Sequence, residues 1–388
     1  MPSDVLAYRS LSFFYFSYFA FLGVWLPYWT LYLEQQLLFS AVQIGQIMAL
    51  STAARIVGPY FWGLLSDSTG ERLLCIRFGA LCSLISFSFI FVHNSFYFVL
   101  TVIFIYSFFW NAILSQFEAV TLNFLGINAW RYSRVRLWGS VGFIVFVLIL
   151  GTVFEIVSLA ALPFFMMALL LMILLSSLLV PDEPSPAKSG SLQKASSSFA
   201  QFKVLLVQPS VYLMFIVFFL QQFSFAPYYT FFSIYLDDLG YGAAAIAWFW
   251  ALGVIAEVAL FAVMHRLLAA YSLLSLLKVS LLLTSIRWLL TGMIAENVYI
   301  LFIMQLLHAV SFAALHAIAM EWLRLRFPRS LQGQAQALYS ASAYGVGGVL
   351  GALISGYVWG GWQEGLFYMA AATAFIAFLL TLTFKRLS

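Results

Sequence analysis

Apolar residues run through this chain in long unbroken blocks, with neither the alternation of a half-buried strand nor the two-faced pattern of a surface helix. A helical block of about 20 apolar residues is long enough to cross roughly 30 Å of hydrocarbon. Such blocks lie at 11–33, 42–65, 73–92, 96–124, 137–154, 157–180, 209–236, 243–264, 272–293, 297–321, 334–358 and 364–384. Each predicts a helix, because a helix satisfies its own backbone where no water is available. The first block follows Arg9, exceeds the length of a signal-peptide core and lacks a small-residue cleavage site, so it reads as the first span. The one long hydrophilic stretch, 181–208, is rich in Pro, Ser and Lys and reads as a linker. The expected architecture is an all-α integral membrane protein, with twelve transmembrane helices in two six-helix bundles, 1–180 and 209–388, joined by 181–208.

Composition agrees with a bilayer as solvent. Of the residues 64% are apolar and only 8% charged, against roughly a quarter charged in a soluble domain. The net charge of +4 therefore carries no message about nucleic acid, and what matters is where the bases sit. Of the 18 Lys and Arg, all but Arg55 and Arg287 fall at the termini or in alternate connections. The intervening connections carry Glu34, Glu155, Asp237, Asp238, Glu296 and Glu364 and no base. This asymmetry predicts that both termini are cytoplasmic. Cys75 and Cys82, seven apart, read as small apolar fillers of one helix face. No metal-ligand spacing, nucleophile motif, phosphate loop or soluble sensor domain is present, so no metal or cofactor is expected.

The two halves echo each other. Pro27-Tyr28-Trp29-Thr30 recurs as Pro227-Tyr228-Tyr229-Thr230, and Tyr32-Leu33-Glu34 as Tyr235-Leu236-Asp237. Extending that register sets Arg55 opposite Glu257. Two six-helix repeats joined by a cytoplasmic linker is the plan of a secondary transporter, with its solute site near the bilayer midplane at the repeat interface.

Ionisable groups inside apolar spans are costly and mark site candidates. In the fourth span Ser107, Asn111, Ser115 and Glu118 fall within about 80° of one another at about 100° per residue. Such a face lines a wet cavity or glues helices together, and the carboxylate of Glu118 favours the cavity. Arg136 follows it at the mouth of the fifth span, after a short basic turn. Tyr15, Tyr18, Trp25 and Trp29 share one face of the first span, either to stack on a solute ring or to pack against neighbouring helices. In the second half Glu257, Arg287 and His308 lie in three successive spans, and Gln305, His308, Phe312 and His316 form a polar stripe. A carboxyl sequestered from water holds its proton more tightly and a nearby arginine loosens it, so such a group can load and unload a proton. Gly347, Gly351 and Ser355 form a small-residue stripe for close helix approach, and Pro27 and Pro227 are candidate bends.

The stretch Gly63-Leu64-Leu65-Ser66-Asp67-Ser68-Thr69-Gly70-Glu71-Arg72 resembles the loop between spans two and three of the major facilitator superfamily. Gly63, Asp67, Gly70 and Arg72 match its pattern, while Ser68 and Leu73 stand where bases are usual. Arg134-x-Arg136-Leu137-Trp138-Gly139-Ser140-Val141-Gly142, with Glu118 eighteen residues before Arg136, resembles lactose-permease-like proton symporters. Together with Ala54-Arg55 and Gly253-Val254-Ile255-Ala256-Glu257-Val258, it also resembles the 3-phenylpropionate transporter group.

The resemblance implies substrate binding by Glu118 and Arg136, and the charge and faces read above add Arg55, Asn111, Trp25 and Tyr18 as candidates. It implies proton coupling by Glu257, Arg287 and His308, to which the polar stripe adds His316, and a gating loop at Gly63, Asp67, Gly70 and Arg72. The expectation is a monomeric transporter in the bacterial inner membrane, driven by the proton gradient. It would import a small organic solute, an aromatic carboxylate such as 3-phenylpropionate foremost. A sugar or nucleoside symporter is the alternative of the same class, and a non-transporting membrane receptor or enzyme the alternative of another.

Overall fold

The computed structural model describes residues 2–181 and 195–384, and among them every regular element is helical. The first six spans are α1 (Pro2–Gln35), α2 (Ala41–Thr69), α3 (Arg72–Ser88), α4 (Phe96–Leu125), α5 (Tyr132–Val153) and α6 (Leu162–Leu178). A short α7 (Ala195–Leu206) precedes α8 (Pro209–Asp238), α9 (Ala243–Ala270) and α10 (Leu273–Ile294). The tenth span, Val298–Arg326, is α11 (Val298–Leu306) and α12 (Leu315–Arg326) joined through a π-helical turn at Ala309–Ala314. The eleventh, Gln332–Trp359, likewise joins α13 (Gln332–Tyr339) to α14 (Gly348–Trp359) through a π-helical stretch, Ser340–Gly347. The twelfth is α15 (Gln363–Thr381).

Of these twelve spans, 11 are both long and apolar enough to cross a membrane. The exception is α2, which has the length but carries Gln43, Gln46 and Arg55 along it. Helix ends fall where the sequence offers a partner for the orphan backbone groups. Ser40 and Gln43 form a reciprocal capping box at the start of α2. Ser272 caps α10 and Asn297 caps α11. Gly70, at φ 74°, closes α2 in the left-handed conformation and donates its N–H to the Ser66 carbonyl at 2.8 Å. Arg77 does a related service for α6, its guanidinium donating to the carbonyls of Ser177 and Val180.

Part of the hydrophilic stretch expected to be a linker, 182–194, lies outside the described residues. Residues 195–206 of it are the helix α7. Phe202, Leu205 and Leu206, at helical spacing, pack into the core around Phe215, Trp322 and Phe327, while Lys203 and Val204 face outward.

The contacts divide the chain into two compact units, Met1–Lys188 with Leu236–Ala251, and Ser189–Tyr235 with Leu252–Ser388. In the first, α1 packs on α5 and α6, and α4 on α2 and α3. The turn between α8 and α9 belongs to this unit. Its Asp237 accepts from Gln35 Nε2 at 2.7 Å, and the Ala244 N–H donates to Glu155 at 2.8 Å. In the second unit α10 packs on α15 and on the tenth span. Close approaches are licensed by glycine: a Cβ at Gly23 would stand 2.6 Å from the Phe143 carbonyl oxygen, and one at Gly58 2.8 Å from that of Phe108. The small-residue stripe of the eleventh span serves the same purpose, a Cβ at Gly351 standing 3.0 Å from the Phe223 oxygen. Cys75 and Cys82 are free and half-buried.

Gly23→Ala should therefore push α1 from α5 and destabilise the fold by about 1–3 kcal/mol, as overpacking does. Gly333, with no atom within 4 Å of a Cβ, provides the control, because Ala there is a better helix former. Thermal unfolding in detergent should show a lowered midpoint for Gly23→Ala and an unchanged or raised one for Gly333→Ala. Equal midpoints would remove the close-approach argument.

Candidate functional site

Two polar clusters stand in otherwise apolar surroundings, one in each unit. In the first, Arg55 on α2 donates from Nε to Asn111 Oδ1 on α4 at 3.3 Å, and Asn111 Nδ2 donates to the Ser107 carbonyl at 2.8 Å. Ser51 and Ser107 hydroxyls meet at 2.9 Å, and Ser66 donates to Gln116 Oε1 at 2.7 Å. These rungs zip α2 to α4. The polar face of α4 thus divides its labour: Ser107 and Asn111 are buried and bind helices together, whereas Ser115 is exposed and Glu118 half-buried.

Glu118 faces the Tyr132 hydroxyl and lies within reach of the Arg136 charge. Among the described residues the two are not joined by a direct ion pair. The Arg136 guanidinium lies 3.8 Å from the Phe19 ring centroid and 5.6 Å from that of Tyr15, the face-on geometry that favours a planar cation. Gly139 makes room for it, since a Cβ there would stand 2.8 Å from Arg136 Nη1. Tyr18 is where the set converges, within reach of the charges of Arg55, Glu118 and Arg136, its ring stacked on Trp110 at 4.7 Å and 4°. Trp25 lies further along α1, stacked on Trp29 at 4.9 Å and only 4% exposed. The structure brings Tyr18, Arg55, Asn111, Glu118 and Arg136 together and sets Trp25 in the adjoining aromatic stack. Phe19 and Tyr132 were not read from the sequence; the basic turn was the available signal for Tyr132, and Phe19, inside an aromatic-rich apolar span, carried none.

In the second unit Arg287 has no exposed surface. Its Nη1 donates to Ser311 Oγ at 2.9 Å and its Nη2 to Gln305 Oε1 at 3.5 Å. The rings of Trp288, Tyr228 and Phe225 lie 4.1, 4.8 and 5.6 Å from the guanidinium carbon. His308 Nε2 meets Glu257 Oε1 at 2.6 Å. The imidazole stacks on Phe312 at 5.6 Å and 11°, and a Cβ at Gly253 would stand 3.2 Å from it. Glu257, Arg287 and His308 are thus one cluster. His316 does not bond that pair directly but lies within reach of the Glu257 charge; its Nδ1 is 3.2 Å from the Tyr344 hydroxyl, and with Gln221, Gln222 and Tyr339 it lines a cavity of about 10 Å³.

The stripe read at about 100° per residue assumes an unbroken α-helix. The π-helical turn between His308 and His316 shifts that phase, so the two histidines meet different partners. Gln305 was read only as part of the stripe and Tyr228 only as part of the repeat, and Ser311 not at all, because neutral polar residues in a membrane helix have many uses.

In the connection between α2 and α3, Arg72 Nη2 pairs with Asp67 Oδ1 at 3.1 Å around the Gly70 turn. Gly63 faces α4, the nearest atom to a Cβ there being Gln116 Nε2 at 3.7 Å. Among the described residues no cluster of metal-ligating side chains occurs.

The same fold recurs in solved structures. That of the nucleoside transporter NupG covers 98% of this chain and all of its own, with a TM-score of 0.86 at 17% identity. That of the POT family transporter PepTSo covers 98% of this chain and 97% of its own, with a TM-score of 0.75 at 12% identity. At such identities the likeness shows the fold alone, that of the major facilitator transporters. The chain belongs to the MFS_1 like family, whose pattern matches residues 8–370. Over 382 residues it is 26% identical to the probable 3-phenylpropionic acid transporter of Escherichia coli (strain K12), covering 96% of each chain. Over 378 residues it is 25% identical to the maltose permease of Geobacillus stearothermophilus, covering 95% of this chain and 92% of that one. It is a multi-pass membrane transporter and not an enzyme.

Ser311→Ala should leave Arg287 Nη1 without its acceptor and destabilise the second unit by about 1–3 kcal/mol, the cost of an unsatisfied buried donor. Thermal unfolding in detergent should show a lowered midpoint, with Ser311→Thr close to the parent. A midpoint unchanged in Ser311→Ala would mean that the hydroxyl does not support the arginine.

Proposed function

We propose that the protein is a proton-coupled symporter that imports a small organic carboxylate across the bacterial inner membrane, an aromatic acid such as 3-phenylpropionate being the foremost candidate. The observation that carries this reading is the Glu257–His308 pair at 2.6 Å beside the fully buried Arg287. An acid and an imidazole in contact inside apolar spans can take up one proton and give it back. The distribution of Lys and Arg supports cytoplasmic termini. The active unit in this reading is a monomer that needs no cofactor beyond the proton gradient, with the Gly63–Arg72 connection as its gating loop.

The solute assignment rests on charge. Arg55 and Arg136 bring two positive charges to the neighbourhood of Tyr18 and Glu118 brings one negative, leaving one positive charge for an anion. Arginine can hold a carboxylate through two parallel bonds, and the rings of Tyr18 and Phe19 suit a phenyl group. With His308 neutral, Glu257 and Arg287 cancel. Binding one carboxylate and one proton therefore leaves the total charge of the two clusters unchanged, which avoids adding charge to the apolar spans. A neutral sugar with a proton would add one positive charge. The 3-phenylpropionic acid relative favours the acid; the maltose permease relative keeps a sugar as the competing substrate.

Transport into membrane vesicles, with and without an imposed pH gradient, tests coupling. The parent should accumulate solute only with the gradient. Glu257→Gln should exchange solute at a rate near the parent's yet fail to accumulate it, because exchange needs no proton release. Gradient-blind uptake by the parent would make it a facilitator.

Binding tests the solute. Arg55→Gln should weaken an aromatic acid by about tenfold, roughly 1.4 kcal/mol, and leave its neutral amide nearly unaffected. Arg136→Lys should weaken the acid severely although the charge remains, because the planar fork is lost. A disaccharide or nucleoside that raises the unfolding temperature where no aromatic acid does would overturn the carboxylate assignment.

A further inference from the structure

In the connection between α4 and α5, exposed positive charge finds no oxygen partner among the described residues but gathers on an exposed ring. No Asp or Glu occurs between Glu118 and Glu155, and Arg131, Arg134 and Arg136 fall within that stretch. Several exposed or half-exposed arginines elsewhere are met by oxygen, Arg72 by Asp67, Arg77 by the end of α6, Arg324 by Glu321 and Arg326 by Gln208, while Arg266 and Arg329 are exposed and, among the described residues, meet neither an oxygen nor a ring. Arg131 and Arg134 meet one ring instead. Their guanidinium carbons lie 5.0 and 5.4 Å from the Trp130 centroid, and among the described residues neither has an oxygen partner.

That ring is itself exposed. Trp130 is 60% and Ile127 98% exposed, in the short helical turn Gly126–Arg131 that follows α4. An isoleucine projecting from a turn into water is unfavourable, and a tryptophan with an apolar body and a polar N–H suits the boundary between acyl chains and headgroups. The two features answer each other if the turn lies at that boundary. Ile127 and Trp130 would then sit at the acyl edge, and the two guanidinium groups at the level of the phosphates, where an anionic surface attracts them.

We propose that residues 126–134 form a binding surface for the headgroup of an anionic phospholipid, its phosphate held by Arg131 and Arg134 against Trp130. The occupant is a lipid rather than a soluble anion, because only a lipid covers Ile127 and Trp130 as well as the two charges. Through Arg134 the surface continues into the start of α5. Two residues on, Arg136 turns to Phe19, so a bound headgroup would fix the end of the helix that carries a proposed solute ligand. The surface itself rests on no assumption about the solute or the proton.

The test is native mass spectrometry of the detergent-purified protein, titrated with phosphatidylglycerol or with phosphatidylcholine of the same acyl chains. Each arginine near an anionic surface is worth about fivefold in affinity, which is roughly 1 kcal/mol converted at RT. The parent should retain phosphatidylglycerol well above phosphatidylcholine. Arg131→Gln with Arg134→Gln should lose about 25-fold for phosphatidylglycerol and leave phosphatidylcholine unchanged, and Arg324→Gln should behave as the parent. The single variants, each losing about fivefold, carry the test if the double variant fails to fold. Equal phosphatidylglycerol retention by parent and arginine variants would overturn the proposal. So would displacement of the lipid by excess inorganic phosphate, which would make the surface a free-anion site.

Discussion

A guanidinium with no exposed surface is the constraint on which the second unit depends. Arg287 is sealed on every side, and an ion removed from water is tolerated only where dipoles, rings or an opposite charge replace its hydration. Ser311, Gln305, Tyr228 and Trp288 do this from α8, α10 and the tenth span. The elements that carry them are held in register by what they carry. The π-helical turn at Ala309–Ala314 is part of the same arrangement, because it contains Ser311.

The two repeats solve one problem in two ways. Arg55 on the second span bonds Asn111 on the fourth, and Glu257 on the eighth bonds His308 on the tenth. In each half the bond joins the second and fourth spans of the six. The first repeat puts a permanent cation against a neutral amide, and that cation keeps exposed surface. The second puts an acid against an imidazole, two groups whose charge can change. Spans of like rank in the two halves thus carry polar contacts of different chemistry, and the tenth adds a π-helical turn that the fourth lacks.

Much of this was legible in the chain because the bilayer makes violations conspicuous. An ionisable group within a long apolar block stands out, and Glu118, Arg55, Glu257, Arg287 and His308 were all visible that way, while Arg136 showed through its motif at the mouth of the fifth span. What the sequence hid is of two kinds. Neutral groups such as Ser311 and Tyr132 cost little in a helix and so carry no signal of their own. Local helix phase is the other: the π-helical turns leave the apolar pattern intact while rotating every residue beyond them, so His316 shares a stripe with His308 on paper and different partners in space. Helix α7 stayed unread because the Ser- and Lys-rich segment before it masks the three apolar residues that dock it.

The same energetics explains why the solute is harder to read than the transport class. Misplacing a polar anchor in an apolar helix leaves a buried group unpaired, so few arrangements survive and each is recognisable. The surface that contacts the rest of a solute is apolar and aromatic. There one methylene more or less changes affinity by only about 1–3 kcal/mol, and a ring can be exchanged for another ring without disturbing the fold. Relatives of this chain named for an aromatic acid and for a disaccharide, at 26% and 25% identity, fit that division. Selection on the solute acts where the physical cost of change is small, so its trace in a single sequence is correspondingly faint.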